Sequence, residues 1–278
     1  MAKNKSPHLP AGYTTREELL RHPLIPATEL RGVSGRWGDK IKQAIILCAG
    51  FGTRLRPITD SIPKVMVPLG GKPILEHHLL QFKKHGVSEF LLNLHYLPEI
   101  IKAYIGDGSK WGVKVSYSLG ASGTAGEVKR FEKHLDENFF VIYGDMFSEI
   151  DYAKMAESFF RKPADALGMM VVGENDHPQD SDLVEVDADM RFLKIHTKPH
   201  KELPKKWKSL DAVYIFRKKI LDYIPSGAIY QIDHNLLPDI VSRGEKFYGY
   251  EIKDFLLDVG TMERYKKVEE YLRKNTHE

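Results

Sequence analysis

A single cysteine, Cys48, stands in 278 residues. No internal disulfide can staple such a chain, and a reducing compartment suits it. No apolar run approaches the ~18 residues that a membrane span needs. The opening stretch, MAKNKSPHLPAGYTTREELLRH, lacks the apolar core of a secretory leader. A cytoplasmic protein with no membrane partner is therefore expected. Charge of one sign is also missing. Forty-one Lys and Arg face 38 Asp and Glu, a formal +3, too little and too evenly spread for a nucleic-acid-binding surface. Repeats and low-complexity tracts are absent as well. What is present, at 42% hydrophobic and 28% charged residues, is the make-up of a globular protein whose core needs no staple.

Residues 1–42 read differently from the rest. Pro7, Pro10, Pro23 and Pro26 surround one capping-box signal at Thr15–Glu18, which predicts an N-terminal arm or linker, with a single domain over 43–278. From Gln43 the pattern is regular. A buried-strand run over Gln43–Cys48 leads into a glycine-rich turn. Pro73 opens an amphipathic helix that Gly86 closes. Strands are then expected at Glu89–Leu94, Val113–Ser118 and Phe139–Tyr143, alternating with helices from about Pro98 and Ala125. That alternation predicts a parallel sheet covered on both faces. After Asp145 the pattern loosens. A helix over Asp151–Arg161 and strands at Ala166–Val172, Leu183–Val186, Phe192–His196 and Ala212–Phe216 are expected, with a last helix from about Met262. The later strands would extend the sheet and shape a second lobe over the pocket.

The turn Leu47-Cys-Ala-Gly-Phe-Gly-Thr-Arg-Leu-Arg-Pro57 fits neither common phosphate motif, since it has no Gly-Lys-Ser/Thr ending and no third glycine. Glycines at 50 and 52 still suit a backbone nest for an anion, with Arg54 and Arg56 as forked donors to phosphate. Asp145 follows an apolar strand and Asp258 follows Phe255-Leu-Leu. Both are expected in the crevice at the carboxyl ends of strands, where two aspartates and phosphate oxygens satisfy magnesium. The twelve histidines have no closed His/Cys spacing, so His196 and His200 read as structural rather than zinc ligands. Ser61-x-x-Lys64 lacks the partner motifs of a serine acyl-transferase.

The turn gains meaning from segments downstream of it. Ile62-Pro-Lys64-Val-Met-Val-Pro-Leu-Gly-Gly-Lys-Pro73, Gly123-Thr-Ala-Gly126, Tyr143-Gly-Asp145, Lys198-Pro199 and Asp258-Val-Gly-Thr261 come in one order. Together with the turn they resemble the sugar-1-phosphate nucleotidyltransferases, over roughly residues 43–272. The closest likeness, through residues 180–200, is to short guanylyltransferase-type members acting on mannose or heptose 1-phosphates. The resemblance implies an α/β fold: a Rossmann-like three-layer α/β/α domain with a mostly parallel mixed central sheet and a small sugar-binding lobe. It implies a magnesium-dependent enzyme joining a nucleoside triphosphate, GTP by preference, to a sugar 1-phosphate. On these terms Arg54 and Lys64 are catalytic. Leu47, Ala49, Gly50, Phe51, Gly52, Thr53 and Gly144 bind nucleotide, as do Gly123, Thr124, Ala125 and Gly126, whose bare backbone abuts the base. Lys198, Thr197 and Glu185 hold the sugar phosphate, and Asp145 and Asp258 hold Mg2+.

Three departures stand out. Thr197 replaces the family's glutamate, Asp211-Ala212 replaces an alanine–glycine pair, and Ala49 replaces a glycine. The first two bear on the acceptor rather than on the reaction. Alternatives stay open at this point: a cytidylyl- or other transferase using another sugar or a non-sugar phosphate, a silent nucleotide-sugar-binding regulator, and a homo-oligomer.

Overall fold

The computed structural model describes residues 40–275 apart from 176. The proline-bearing arm and its capping box at 15–18 lie outside the described residues. The run Gln43-Ala-Ile-Ile-Leu47 forms β1 (Gln43–Leu47), all five residues buried. A short hairpin follows, β2 (Pro68–Leu69) with β3 (Lys72–Pro73), and then α1 (Ile74–Lys84). Next come β4 (Glu89–Leu94), α2 (Pro98–Ile105), β5 (Lys114–Leu119), α3 (Gly123–Arg130) and β6 (Asn138–Tyr143). The second half holds β7 (Met146–Ser148), α4 (Tyr152–Phe160), β8 (Gly168–Gly173), β9 (Leu183–Val186) and β10 (Phe192–His196). It closes with β11 (Lys208–Arg217), α5 (Leu237–Ser242), β12 (Phe247–Glu251), β13 (Leu256–Asp258) and α6 (Met262–Asn275).

Among the described residues nine strands make one mixed sheet, in the order β10-β9-β11-β6-β1-β4-β5, with β8 and β12 attached through β11. β6, β1, β4 and β5 run parallel, whereas β11 is antiparallel to β6, β8 and β9. Alternate residues of β1 feed two separate cores. Ala44 and Ile46 pack with Leu79, Phe82 and Ile101 on one face, and Ile45 and Leu47 with Ala125, Val128 and Ile240 on the other. Burial on both faces explains why β1 reads as an uninterrupted apolar run.

The chain leaves β1 toward β4 and β5, then returns to the opposite flank of β1 as β6. The order therefore reverses between β1 and β6, the position where open α/β sheets hold ligands. The loops leaving these two strands are Cys48–Gly52 and Gly144–Asp145. β11 is longer than its apolar stretch Ala212–Phe216 predicts. Lys208 pairs with Glu174 and Glu251, and Ser209 donates to Gly173 O, so polar residues extend the strand.

Helix α1 carries His77 and His78, and His85 caps its C-terminus; burial is the chief cause that lowers all three pKa values, that of His78 to about 4. His78 donates from Nε2 to Gly144 O at 3.2 Å, tying the helix to the loop after β6. In the unfolded chain this imidazole takes a proton near 6.5. The unfolded state therefore binds more protons as pH falls from about 6.5 toward 4, and stability is lost across that window. Denaturant unfolding of the wild type and His78→Gln at a series of pH values isolates this group from buried carboxyls, which act with the opposite sign. The variant should gain on the wild type by on the order of 2 kcal/mol between pH 7 and 4.5. Parallel pH curves for the two proteins would refute the assignment.

Candidate functional site

Two three-residue strands bring the aspartates together. β7 and β13 pair antiparallel with Asp258 opposite Met146, and Val259 N–H donates to Asp145 O at 2.8 Å. The carboxylates converge on one cation. Lys64 Nζ, almost wholly buried, bonds Asp145 Oδ2 and lies 3.4 Å from Asp258 Oδ1. Arg264 Nη1 reaches Asp258 Oδ2 at 2.7 Å, and Arg54 Nη2 stands 4.0 Å from the same oxygen. Three cations thus face two carboxylates, an excess of positive charge at the sheet's switch point. Arg54 is 66% exposed at its side chain and free to turn toward a ligand. Arg56, exposed as well, pairs with Asp60 at 3.1 Å.

The turn itself divides its glycines. Gly52 sits at φ 64, and a Cβ there would meet Thr59 Cγ2 at 2.9 Å and Lys64 Cβ at 3.0 Å. Only glycine serves at that position. Gly50 has no left-handed φ and no atom within 4 Å of a built Cβ, so its bareness leaves open space rather than a strained bend. Phe51 projects outward, 54% exposed, edge-on to His95 at 5.3 Å. Thr53 opens the short turn Thr53–Leu55. Cys48 lies under this loop with its thiol pushed well above the ordinary range by burial, which rules it out as a nucleophile.

A cavity of about 330 Å³ opens beside this cluster, at the lower end of the size of small-molecule sites. Leu47, Ala49, Gly50, Lys64 and Asp145 form one side. Gly123, Thr124, Glu127 and Gln231 form another, with Asn93 and Tyr143 between. Tyr143 is fixed from behind. Its hydroxyl and that of Tyr214 each donate at 2.6 Å to Asp233, whose carboxyl is pushed up by burial even as the tyrosines pull it down.

The glycine-rich start of α3 supplies Gly123 and Thr124 to the cavity and is held by the segment at residues 230–231. Ala125 N–H and Gly126 N–H both donate to Tyr230 O, at 2.9 and 3.1 Å. Thr124 N–H and its hydroxyl donate to Gln231 Oε1, at 3.3 and 3.1 Å. The backbone donors of Thr124, Ala125 and Gly126 are engaged by the neighbouring segment. A Cβ on Gly123 would strike Tyr230 O at 2.6 Å, so close packing against Tyr230 is what requires glycine there.

The residues expected to hold the sugar phosphate gather elsewhere. Thr197, Lys198 and Glu185 do not line the cavity. Glu185 Oε1 pairs with His196 Nε2 at 2.7 Å, and Lys198 Nζ donates to Asp180 O at 3.0 Å. Asp182 links this loop to the cavity wall. It accepts from Lys198 N at 2.9 Å and meets His234 Nε2 at 2.9 Å, one residue beyond Asp233. His200 Nε2 donates to Ser181 O at 2.6 Å. Asp211 is half-buried in β11, and burial pushes its carboxyl up to about 6. Asn93, Glu127, Gln231 and Arg264 belong to the site without any sequence signal having singled them out.

Residues 43–275 match the family described as nucleotidyl transferase. A UTP–glucose-1-phosphate uridylyltransferase of Synechocystis sp. is 30% identical over 80% of this chain and 61% of its own length. A D-glycero-alpha-D-manno-heptose 1-phosphate guanylyltransferase of Campylobacter jejuni is 42% identical over 41% of this chain and 52% of its own. The chain thus spans between half and two thirds of the length of these relatives. Among solved structures, HddC from Yersinia pseudotuberculosis complexed with GMP-PN superposes with a TM-score of 0.68 at 26% identity. That superposition covers 84% of this chain and all of the other.

Gly144, which separates Tyr143 from Asp145, offers a direct check of the geometry. A Cβ there would lie 2.7 Å from Val65 Cγ1 and 2.9 Å from Leu47 O, and a backbone oxygen in the central sheet cannot yield. Gly144→Ala should lower stability by about 1–3 kcal/mol, the range for overpacking. Gly50→Ala, with its open surroundings, should stay within ~0.5 kcal/mol of the wild type. Thermal or denaturant unfolding reads both, and equal losses would contradict this packing.

Proposed function

The chain belongs to the nucleotidyl transferase family, and on that premise we propose that it condenses a nucleoside triphosphate with a sugar 1-phosphate. GTP is the donor and mannose or D-glycero-D-manno-heptose 1-phosphate the acceptor in this reading. An oxygen of the sugar phosphate attacks the α-phosphorus, the bond to the bridging oxygen breaks, and pyrophosphate leaves. The observation that carries the reading is the meeting of Lys64, Asp145 and Asp258 beside the cavity at the sheet's switch point. The heptose 1-phosphate guanylyltransferase and the GMP-PN complex among the relatives support the choice of base and acceptor. Catalysis belongs to residues 43–278, with 1–42 attached as an arm, in the cytoplasm.

Transfer of this kind asks little covalent chemistry of the protein; it asks for position and for neutralised charge. Lys64, Arg54 and Arg264 supply that charge, each within 4.0 Å of an Asp258 carboxylate oxygen. A buried, preorganised ammonium acts more strongly than a solvated one because it needs no reorganisation as charge develops. Asp145 and Asp258 would hold magnesium. Their donor set suits it, since two hard carboxylates already converge on a single cationic group, and magnesium takes one or two carboxylates together with phosphate oxygens. When bound, the ion supplies further neutralisation of the triphosphate. Lys198, on the loop clamped by Asp182, serves the acceptor phosphate.

Pyrophosphate release, measured with each of four nucleoside triphosphates against glucose, mannose and heptose 1-phosphates, tests the reading. GTP with mannose or heptose 1-phosphate should give the highest kcat/KM. Activity should vanish in excess chelator and return with magnesium, and Asp145→Asn should remove most turnover in a folded protein. A clear preference for UTP with glucose 1-phosphate would overturn the substrate assignment.

Lys198→Ala separates the two substrates. Its apparent KM for the sugar phosphate should rise by about 10- to 100-fold, as expected for a lost charge-assisted contact, with little change for the nucleotide. Equal effects on both would mark the loop as a general cover instead.

A further inference from the structure

Glu127 is the anomaly in the cavity wall. It is 2% exposed, on a short helix whose other side chains near the cavity are small. Its two carboxylate oxygens live differently. Oε1 accepts from Ser122 N–H at 2.7 Å, from the Ser122 hydroxyl at 2.6 Å and from Arg130 Nε at 3.1 Å. Oε2 is buried and has no hydrogen-bond partner. Tying down the loop before α3 explains Oε1 completely. It leaves Oε2 unexplained, because a buried charged oxygen without a partner is costly.

The surroundings narrow what Oε2 can serve. The backbone N–H groups of Thr124, Ala125 and Gly126, the natural donors of this turn, are already used by Gln231 and Tyr230. Glu127 itself lines the cavity, and Oε2 is the carboxylate oxygen there that no group among the described residues engages. We propose that Glu127 is the residue that reads the nucleobase, with Oε2 accepting from adjacent N–H donors on the base edge. This deepens the guanylyl-transfer reading and rests on it. Guanine alone among the common bases carries two adjacent donors there, N1–H and the 2-amino group. Uracil has one N–H flanked by two carbonyl oxygens that a carboxylate repels. Cytosine and adenine place an amino group beside a ring-nitrogen lone pair. A fixed carboxylate oxygen thus favours guanine by attraction and disfavours uracil by repulsion, the two halves of specificity.

Equilibrium binding of GTP, ITP and UTP to the full chain tests this, with ITP differing from GTP only by the missing 2-amino group. The wild type should bind GTP about 10-fold or more tighter than ITP, the range for a hydrogen bond to a charged group, and UTP weaker still. Glu127→Gln keeps an oxygen for the Ser122 donors and turns the orphan acceptor into a donor. It should weaken GTP binding and erase the GTP-over-ITP preference, with the affinity for the sugar phosphate unchanged. Equal wild-type affinity for GTP and ITP overturns the proposal without recourse to any variant, as does a GTP-over-ITP ratio that survives in a folded Glu127→Gln protein. Pyrophosphate release separates this from the parent reading. Guanine-selective binding with no turnover on any sugar phosphate would sink the transfer reaction and leave Glu127 standing. Turnover without GTP-over-ITP discrimination would do the reverse.

Discussion

The ammonium group of Lys64, held between the carboxylates of Asp145 and Asp258, ties together parts of the chain that share no local connection. Lys64 sits on a short turn after the glycine-rich loop, Asp145 follows a central strand, and Asp258 closes the last strand. None of the three could be buried alone. An unpaired charge at low exposure is expensive, whereas a paired and hydrogen-bonded one is tolerated. The nearly buried position of Lys64 therefore depends on both aspartates, and their approach depends on the β7–β13 pairing and on Gly144 allowing the chain to turn beneath Val65.

The rest of the site is arranged around that cluster by the sheet. Reversal of strand order between β1 and β6 opens a crevice at their carboxyl ends, and the loops from both strands fall into it. On the far wall, Asp233 braces Tyr143 and Tyr214, and Asp182 couples the same segment to the loop bearing Lys198. The cavity wall and the loop bearing Lys198 are thus joined through residues 230–235, which also engage the backbone of α3 through Tyr230 and Gln231.

Much of this was legible in the sequence wherever a residue's neighbours along the chain decide its fate. The run Gln43–Leu47 and the strand before Asp145 declare themselves because both faces of the sheet are covered. The pairing of β7 with β13 does not, since three-residue strands distant in sequence carry no periodicity of their own. Glu127 and Arg264 read as ordinary charged residues of helices. Their importance comes from Ser122, Arg130 and Asp258, which only the fold brings near. At 124–126 the backbone donors are taken by Tyr230 and Gln231, which lie about a hundred residues away and leave no local signal.

Crystals grown with manganese in place of magnesium, together with a non-hydrolysable GTP analogue, test the central claim most directly, because anomalous scattering locates the metal. The account predicts one metal ion ligated by both Asp145 and Asp258, with Lys64 Nζ moved from between them onto the triphosphate. A metal bound elsewhere while Lys64 still bridges the two carboxylates would contradict it.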